Sequence, residues 1–213
     1  MVPEIRAHLS GGHPLISLVL AGFAAAQAAA PAPSPRPQLS AAAAQSLARK
    51  LEAIERRAQA AEKAASKTVV VTESELNSYL NLATPPKLPP GVSEVEFRLE
   101  HERIEARGQV DLSRLPVKGA GASGSLLSLL SGLVVAVELK GRLPNDDGVA
   151  TIELDEIRFG GISVSVAVLA PMVAQATRTP DKPQGFDIRS PFPLPYSMKR
   201  VRLERGRALL DFQ

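Results

Sequence analysis

VSEVEFRLEHERIEARGQVDL, residues 92–112, carries the most regular pattern in the chain. Val95, Phe97 and Leu99 alternate with Glu94, Glu96, Arg98 and Glu100. After a polar turn near His101 to Arg103, Ile104, Ala106, Gly108, Val110 and Leu112 alternate with Glu105, Arg107, Gln109 and Asp111. Successive side chains of a strand point to opposite faces. Two alternating runs joined by a short turn therefore predict a hairpin with one buried and one solvated face. The pattern sets the expected fold class: α+β, with long amphipathic antiparallel strands curling against a few helices.

The same device recurs downstream. Leu133, Val135, Val137, Leu139, Gly141 and Leu143 share one parity, Asn145-Asp146-Asp147-Gly148 is a turn, and Ala150, Ile152 and Leu154 lead back. The change of parity to Ile157 and Phe159 requires a bulge or bend. Between the two hairpins, residues 119–124 are a small-residue loop and 125–131 fit one or two helical turns. Gly160-Gly161 ends the strand, and residues 164–178 predict a helix with Pro171 in its first turn or at a kink. TPDKPQGF (179–186) is a loop, and SPFPLPY (190–196) is extended because its prolines alternate. Val201 and Leu203, the turn Arg205-Gly206, and Ala208, Leu210 and Phe212 predict a last hairpin.

Upstream of residue 92, TVVV (68–71) is a short β-branched strand. Thr72 with Glu75 three residues later is a capping box that opens a helix over 73–82, with Leu76, Tyr79 and Leu80 on one face. ATPPKLPPG (83–91) stops it. Residues 39–67 are Ala-rich with no Gly or Pro, and predict a long amphipathic helix. Its apolar seam, Ala44, Leu47, Leu51, Ile54, Ala58, Ala61 and Ala65, fits a coiled coil, a helix lying on a sheet, or a helical spacer. Residues 29–38 are a Pro-rich linker. Residues 1–28 have the form of a secretory signal: Arg6 near the start, the apolar run 15–26, and small residues at Ala26 and Ala28. The run is shorter than the roughly 20 residues of a spanning helix. The α+β domain then occupies 68–213, and the expected location is the periplasm or cell envelope.

The 213 residues hold 45% hydrophobic and 22% charged side chains with a formal charge of +3, an ordinary globular balance. There is no Cys, which excludes thiol chemistry, disulfides and cysteine-ligated metals. Of three His, His8 and His13 would leave with the signal, so only His101 remains, in a charged turn. Gly119-Ala120-Gly121-Ala122-Ser123-Gly124 matches the spacing of a dinucleotide fingerprint but not its strand–turn–helix context. Glu153, Asp155 and Glu156 form the densest carboxylate cluster, and Glu153 and Asp155, which alternate with Ile152 and Leu154, are expected to face water on a strand. Aromatics at 4% are too few to grip sugar rings or stack bases. The sequence thus predicts no enzyme, no cofactor, no metal site and no nucleic-acid partner.

Lys199, Arg200, Arg202, Arg205 and Arg207 cluster against Glu204 alone. They are read either as a solvated strand edge or as a contact to an anionic membrane surface. Residues 126–133 and 162–173 hold more large aliphatics than one sheet face needs, which suits an apolar groove. The segment Val71-Thr72-Glu73-Ser74-Glu75-Leu76-Asn77-Ser78-Tyr79-Leu80 resembles the opening strand and helix of exported bacterial proteins of the tubular lipid-binding (TULIP-like) architecture. The resemblance covers about residues 68–213 at the level of pattern. It implies a long curved sheet wrapped on helices and a lipid or other hydrophobic ligand, with no catalytic residue. The residues expected to line the ligand site are Leu76, Leu80, Phe97, Leu99, Val137, Leu139 and Ile152. The alternative is an envelope scaffold that self-associates, as a homo-oligomer, through the 40–66 helix.

Overall fold

The chain order is helix, strand, helix, then hairpins, in a computed structural model that describes residues 38–60, 67–83, 88, 91–114, 133–178 and 183–212. The predicted signal, nearly all of the Pro-rich linker, the end of the N-terminal helix (61–66), the Gly119–Gly124 loop and the helical turns at 125–131 lie outside the described residues. So do parts of the loops at 83–91 and 179–186.

Helix α1 (Ala41–Gln59) begins at Ser40, whose hydroxyl accepts from the Ala43 N–H, and ends with Arg56 and Arg57 against its negative pole. Strand β1 (Thr68–Thr72) runs into α2 (Glu73–Leu82), opened by the Thr72–Glu75 capping box. The predicted hairpin is β2 (Val92–Glu100) and β3 (Arg103–Asp111). Strand β4 (Val134–Arg142) follows, then the small ribbon β5 (Asn145–Asp146) and β6 (Val149–Ala150). Strand β7 (Glu153–Phe159), β8 (Ile162–Ser163), α3 (Val166–Ala176), β9 (Phe192–Pro193), β10 (Met198–Glu204) and β11 (Arg207–Phe212) complete the order. The α+β class with antiparallel sheets is the observed one: β2-β3-β4-β7-β8, β1-β11-β10 and β5-β6-β9.

Two parity changes are absorbed by irregular pairing. Val92 and Val95 both face inward because register shifts between Ser93 and Glu96, with Glu94 at φ 50. Between β4 and β7, Lys140 faces Glu156 while Gly141 faces Leu154, so Asp155 is the extra residue. Gly141 allows the close approach there: a Cβ would lie 2.4 Å from the Glu153 carbonyl oxygen. Asp147 and Gly148, both at positive φ, make the turn of the β5–β6 ribbon.

The core lies between the inner face of the five-stranded sheet and the helices. Phe97, Val110, Val135, Val137 and Phe159 from the sheet are almost fully enclosed with Leu169 and Val173 of α3 and Met198 of β10. The α1 seam joins the same core through Ala44, Leu47, Leu51 and Ile54. Ala58 is exposed, so the buried part of the predicted seam stops at Ile54. A helix lying on the fold is therefore the form the seam takes, and its apolar side is occupied within the chain.

Helix α2 is enclosed on more sides than its three predicted apolar residues require: Glu75, Asn77 and Ser78 are buried too. Glu75 and Ser78 are covered from α1 and its cap, Ser40 N–H donating to Ser78 Oγ and Ser46 and Lys50 to Glu75, while Asn77 faces the outer edge of β2. Asn77 Nδ2 donates to the Phe97 carbonyl (2.9 Å) and Oδ1 accepts from the Phe97 N–H (2.7 Å). Asn81 repeats this on Val95, at 2.7 and 3.1 Å. Glu73 accepts from the Leu99 N–H (2.8 Å), and the Gly206 N–H donates to the Leu99 carbonyl (2.8 Å). Four residues of helix advance about 6 Å and two of strand about 6.6 Å, so helix positions 73, 77 and 81 match strand positions 99, 97 and 95. The helix side chains stand in for a neighbouring strand.

Candidate ligand-binding site

The seven residues expected to line an apolar site are placed as follows. Leu80, Phe97, Val137 and Leu139 belong to the main core, with Leu76 and Ile152 partly buried against it. Leu99 is buried but lies outside that cluster, at the end of β2 beside the Arg205-Gly206 turn. Six of the seven are thus brought together on the inner side of the sheet.

Helix α3 forms part of this wall through Leu169, Ala170 and Val173. Residues 159–177 carry no charged side chain. Pro171 stands in the helix interior rather than its first turn, and cannot donate to the Ala167 carbonyl. Leu169, Ala170 and Val173 face the core, while Val168 is 56% exposed and Ala167 and Pro171 are exposed as well. The helix is held at its C-terminal end, where Thr177 Oγ1 donates to the Val173 carbonyl and accepts from the Phe186 N–H, both at 2.7 Å. Gly185 packs so close that a Cβ would sit 1.7 Å from the Ala174 carbonyl oxygen.

Of the other exposed apolar residues nearby, Ile162 opens the aliphatic stretch 162–173, and Val134 directly follows the stretch 126–133. Val134 opens β4 at 55% exposure and Ile162 opens β8 at 51%. Val137 stands opposite Phe159, and the Gly160 N–H donates to the Ala136 carbonyl (2.7 Å). The start of β4, the Gly160-Gly161 turn and β8 therefore share one end of the sheet. A second uncharged run in the sequence is residues 119–137, of which the described part, 133–137, begins β4. The signal in the sequence was the paired absence of charge, flanked by Lys118 and Glu138 in one run and by Arg158 and Arg178 in the other.

At the opposite end the surface is polar. A groove of about 500 Å³ runs between the His101–Glu102 turn, Arg142–Asn145 and β10, and an open cleft of about 470 Å³ lies beside Asp146, Asp147 and Arg200. None of the seven apolar candidates lines either one. The basic cluster is matched by carboxylates: Arg200 with Asp146 (2.6 Å), Arg202 with Asp211 (2.9 Å), Arg205 with Glu100 (3.2 Å) and Arg207 with Glu204 (2.6 Å). The Arg200 hydrogen bond and charge hold the Asp146 carboxyl below its usual range, and Arg202 does the same for Asp211. Lys199 is exposed. Glu153 and Asp155 face outward and share Arg142.

Glu75 is the buried carboxylate. Burial raises its pKa, but hydrogen bonds from Lys50, Ser46 and the Thr72 N–H outweigh this and hold it below the usual value. Lys50 Nζ reaches both of its oxygens at 2.7 Å and also the Val70 carbonyl at 2.6 Å. These bonds fasten α1 to α2 and β1 and are structural. Among the described residues no three His, Asp or Glu are grouped to hold a metal ion, and no helix is long and apolar enough to cross a membrane. No protein-family model matches the chain, and neither a curated protein nor a solved structure is similar enough to count as a match.

Proposed function

We propose that the chain is an exported, non-enzymatic protein of the cell envelope that binds a lipid or another hydrophobic molecule. The observation that carries this reading is a set of aliphatic side chains each more than half exposed: Val134 and Ile162 at one end of the five-stranded sheet, and Val168 on α3. Exposed aliphatics of this kind suit acyl chains. The ligand would enter beside Val134 and Ile162 and lie along the inner face, with Leu76, Leu80, Phe97, Val137, Leu139 and Ile152 as its inward wall, Leu99 beyond its far end, and α3 as the wall that yields. The basic cluster is a weaker headgroup contact than its sequence suggests, since four of its five members already hold a carboxylate.

Organic extraction of the protein purified from a bacterial envelope, followed by mass spectrometry, tests this. A lipid recovered at about one per chain supports the reading. An extract with no more lipid than a control protein of similar charge counts against it.

A further inference from the structure

The solvent face of the five-stranded sheet carries one short pattern four times. Glu96 and Arg98 on β2, Glu105 and Arg107 on β3, Glu138 and Lys140 on β4, and Glu156 and Arg158 on β7 are each an acid followed two residues later by a base. Antiparallel pairing turns this repeat into rows of alternating sign. Glu96 stands opposite Arg107, Arg107 opposite Glu138, and Glu138 opposite Arg158. The next row is Arg98, Glu105, Lys140 and Glu156. Arg107 reaches Glu138 at 3.6 Å and Lys140 reaches Glu156 at 3.2 Å.

We infer that this repeat is a register code for the sheet. The apolar inner face fixes only the parity of pairing, since a slip of one residue turns every side chain over. A slip of two residues keeps the apolar face inward, and hydrophobicity does not oppose it. Charge does. Sliding β2 on β3 by two puts Glu96 against Glu105 or Arg98 against Arg107. Sliding β3 on β4 puts Glu105 against Glu138 or Arg107 against Lys140. Sliding β4 on β7 puts Glu138 against Glu156 or Lys140 against Arg158. Each exposed pair adds little stability in the native register. The penalty for like charges directly opposite one another falls on the wrong registers. The four acids and four bases of the repeat balance in charge, with Arg98 and Arg158 also ion-paired with Glu96 and Glu156 of their own strands.

The absence of Cys allows a direct test. Gln109 and Ala136 face each other in the native register, at a spacing that a disulfide spans, whereas Gln109 and Val134 would meet only after a two-residue slip. In the unaltered charge pattern, Q109C/A136C is expected to oxidise fully and Q109C/V134C to stay reduced. Inverting β3 alone, E105R/R107E, is expected to lower Tm by about 5 °C at low salt, to recover most of that in 1 M NaCl, and to raise the Q109C/V134C disulfide several-fold. Inverting all four strands (E96R/R98E, E105R/R107E, E138K/K140E, E156R/R158E) restores every opposite pair and is expected to return Tm to within about 2 °C of the original. A β3 inversion that leaves Tm and both cross-links unchanged would overturn the inference. So would an eightfold inversion that is no more stable than the β3 inversion.

Discussion

Replacing Asn77 by Ala removes both hydrogen bonds to Phe97 and strands a buried N–H and a buried carbonyl. Each costs about 1–3 kcal/mol when unpaired, so Asn77→Ala is expected to lower the unfolding free energy by about 2–6 kcal/mol in urea titration. Asn81 makes the same two bonds to Val95 in a partly exposed place, where water can replace it. Asn81→Ala is expected to cost no more than about half as much. Equal losses, or a loss below about 1 kcal/mol at Asn77, would mean that the helix does not cap the strand edge. Glu75 supplies a pH dependence. Its folded pKa is lowered, so its contribution is present above the ordinary glutamate value of about 4.3 and lost as pH falls below that toward the lowered one. Glu75→Gln should therefore destabilise the protein at pH 7 and much less at pH 3, read as the difference between the two urea midpoints. A difference independent of pH would refute the assignment.

At the scale of elements, α1 depends on a few large residues. Leu47, Leu51 and Ile54 are buried, and Ala44 and the partly buried Ala48 complete the inward side. Leu51→Ala is expected to cost about 2–5 kcal/mol, with Ala58→Leu near neutral because Ala58 faces solvent. The periodicity of the seam was legible in the sequence but its partner was not, because a 3–4 spacing fits a sheet, a helix or a second copy equally well. The hairpin of β2 and β3, the capped helix α2 and the closing hairpin were legible, since alternation, a capping box and a Gly turn are local signals. The polar stripe Glu73, Asn77 and Asn81 was not. Its four-residue spacing is visible in the sequence, but its meaning depends on a strand edge about twenty residues away. The inward placement of Leu80, Phe97, Val137 and Leu139 followed from parity, and the ion pairing of the basic cluster did not, because its carboxylates come from Glu100, Asp146, Glu204 and Asp211.

For the whole molecule, exposed aliphatics and paired arginines are separated. One end of the long sheet exposes Val134 and Ile162, with Asp111 opposite Val134 and Arg158 opposite Ser163, α3 exposes Val168, and the other end of the sheet carries the paired arginines. Because Ile162 and Val168 are already half in solvent, Ile162→Asp and Val168→Asp should leave Tm nearly unchanged. That makes them better probes of the apolar end than Leu99 or Val137, whose replacement by Asp would bury a charge. The most direct measurement is native mass spectrometry of the purified chain after incubation with phosphatidylethanolamine–phosphatidylglycerol vesicles, run beside the Ile162→Asp/Val168→Asp variant. The account predicts a one-to-one lipid adduct on the original chain and its loss in a variant that melts at the same temperature. An original chain that shows only its own mass, or a variant that carries as much lipid as the original, would contradict it.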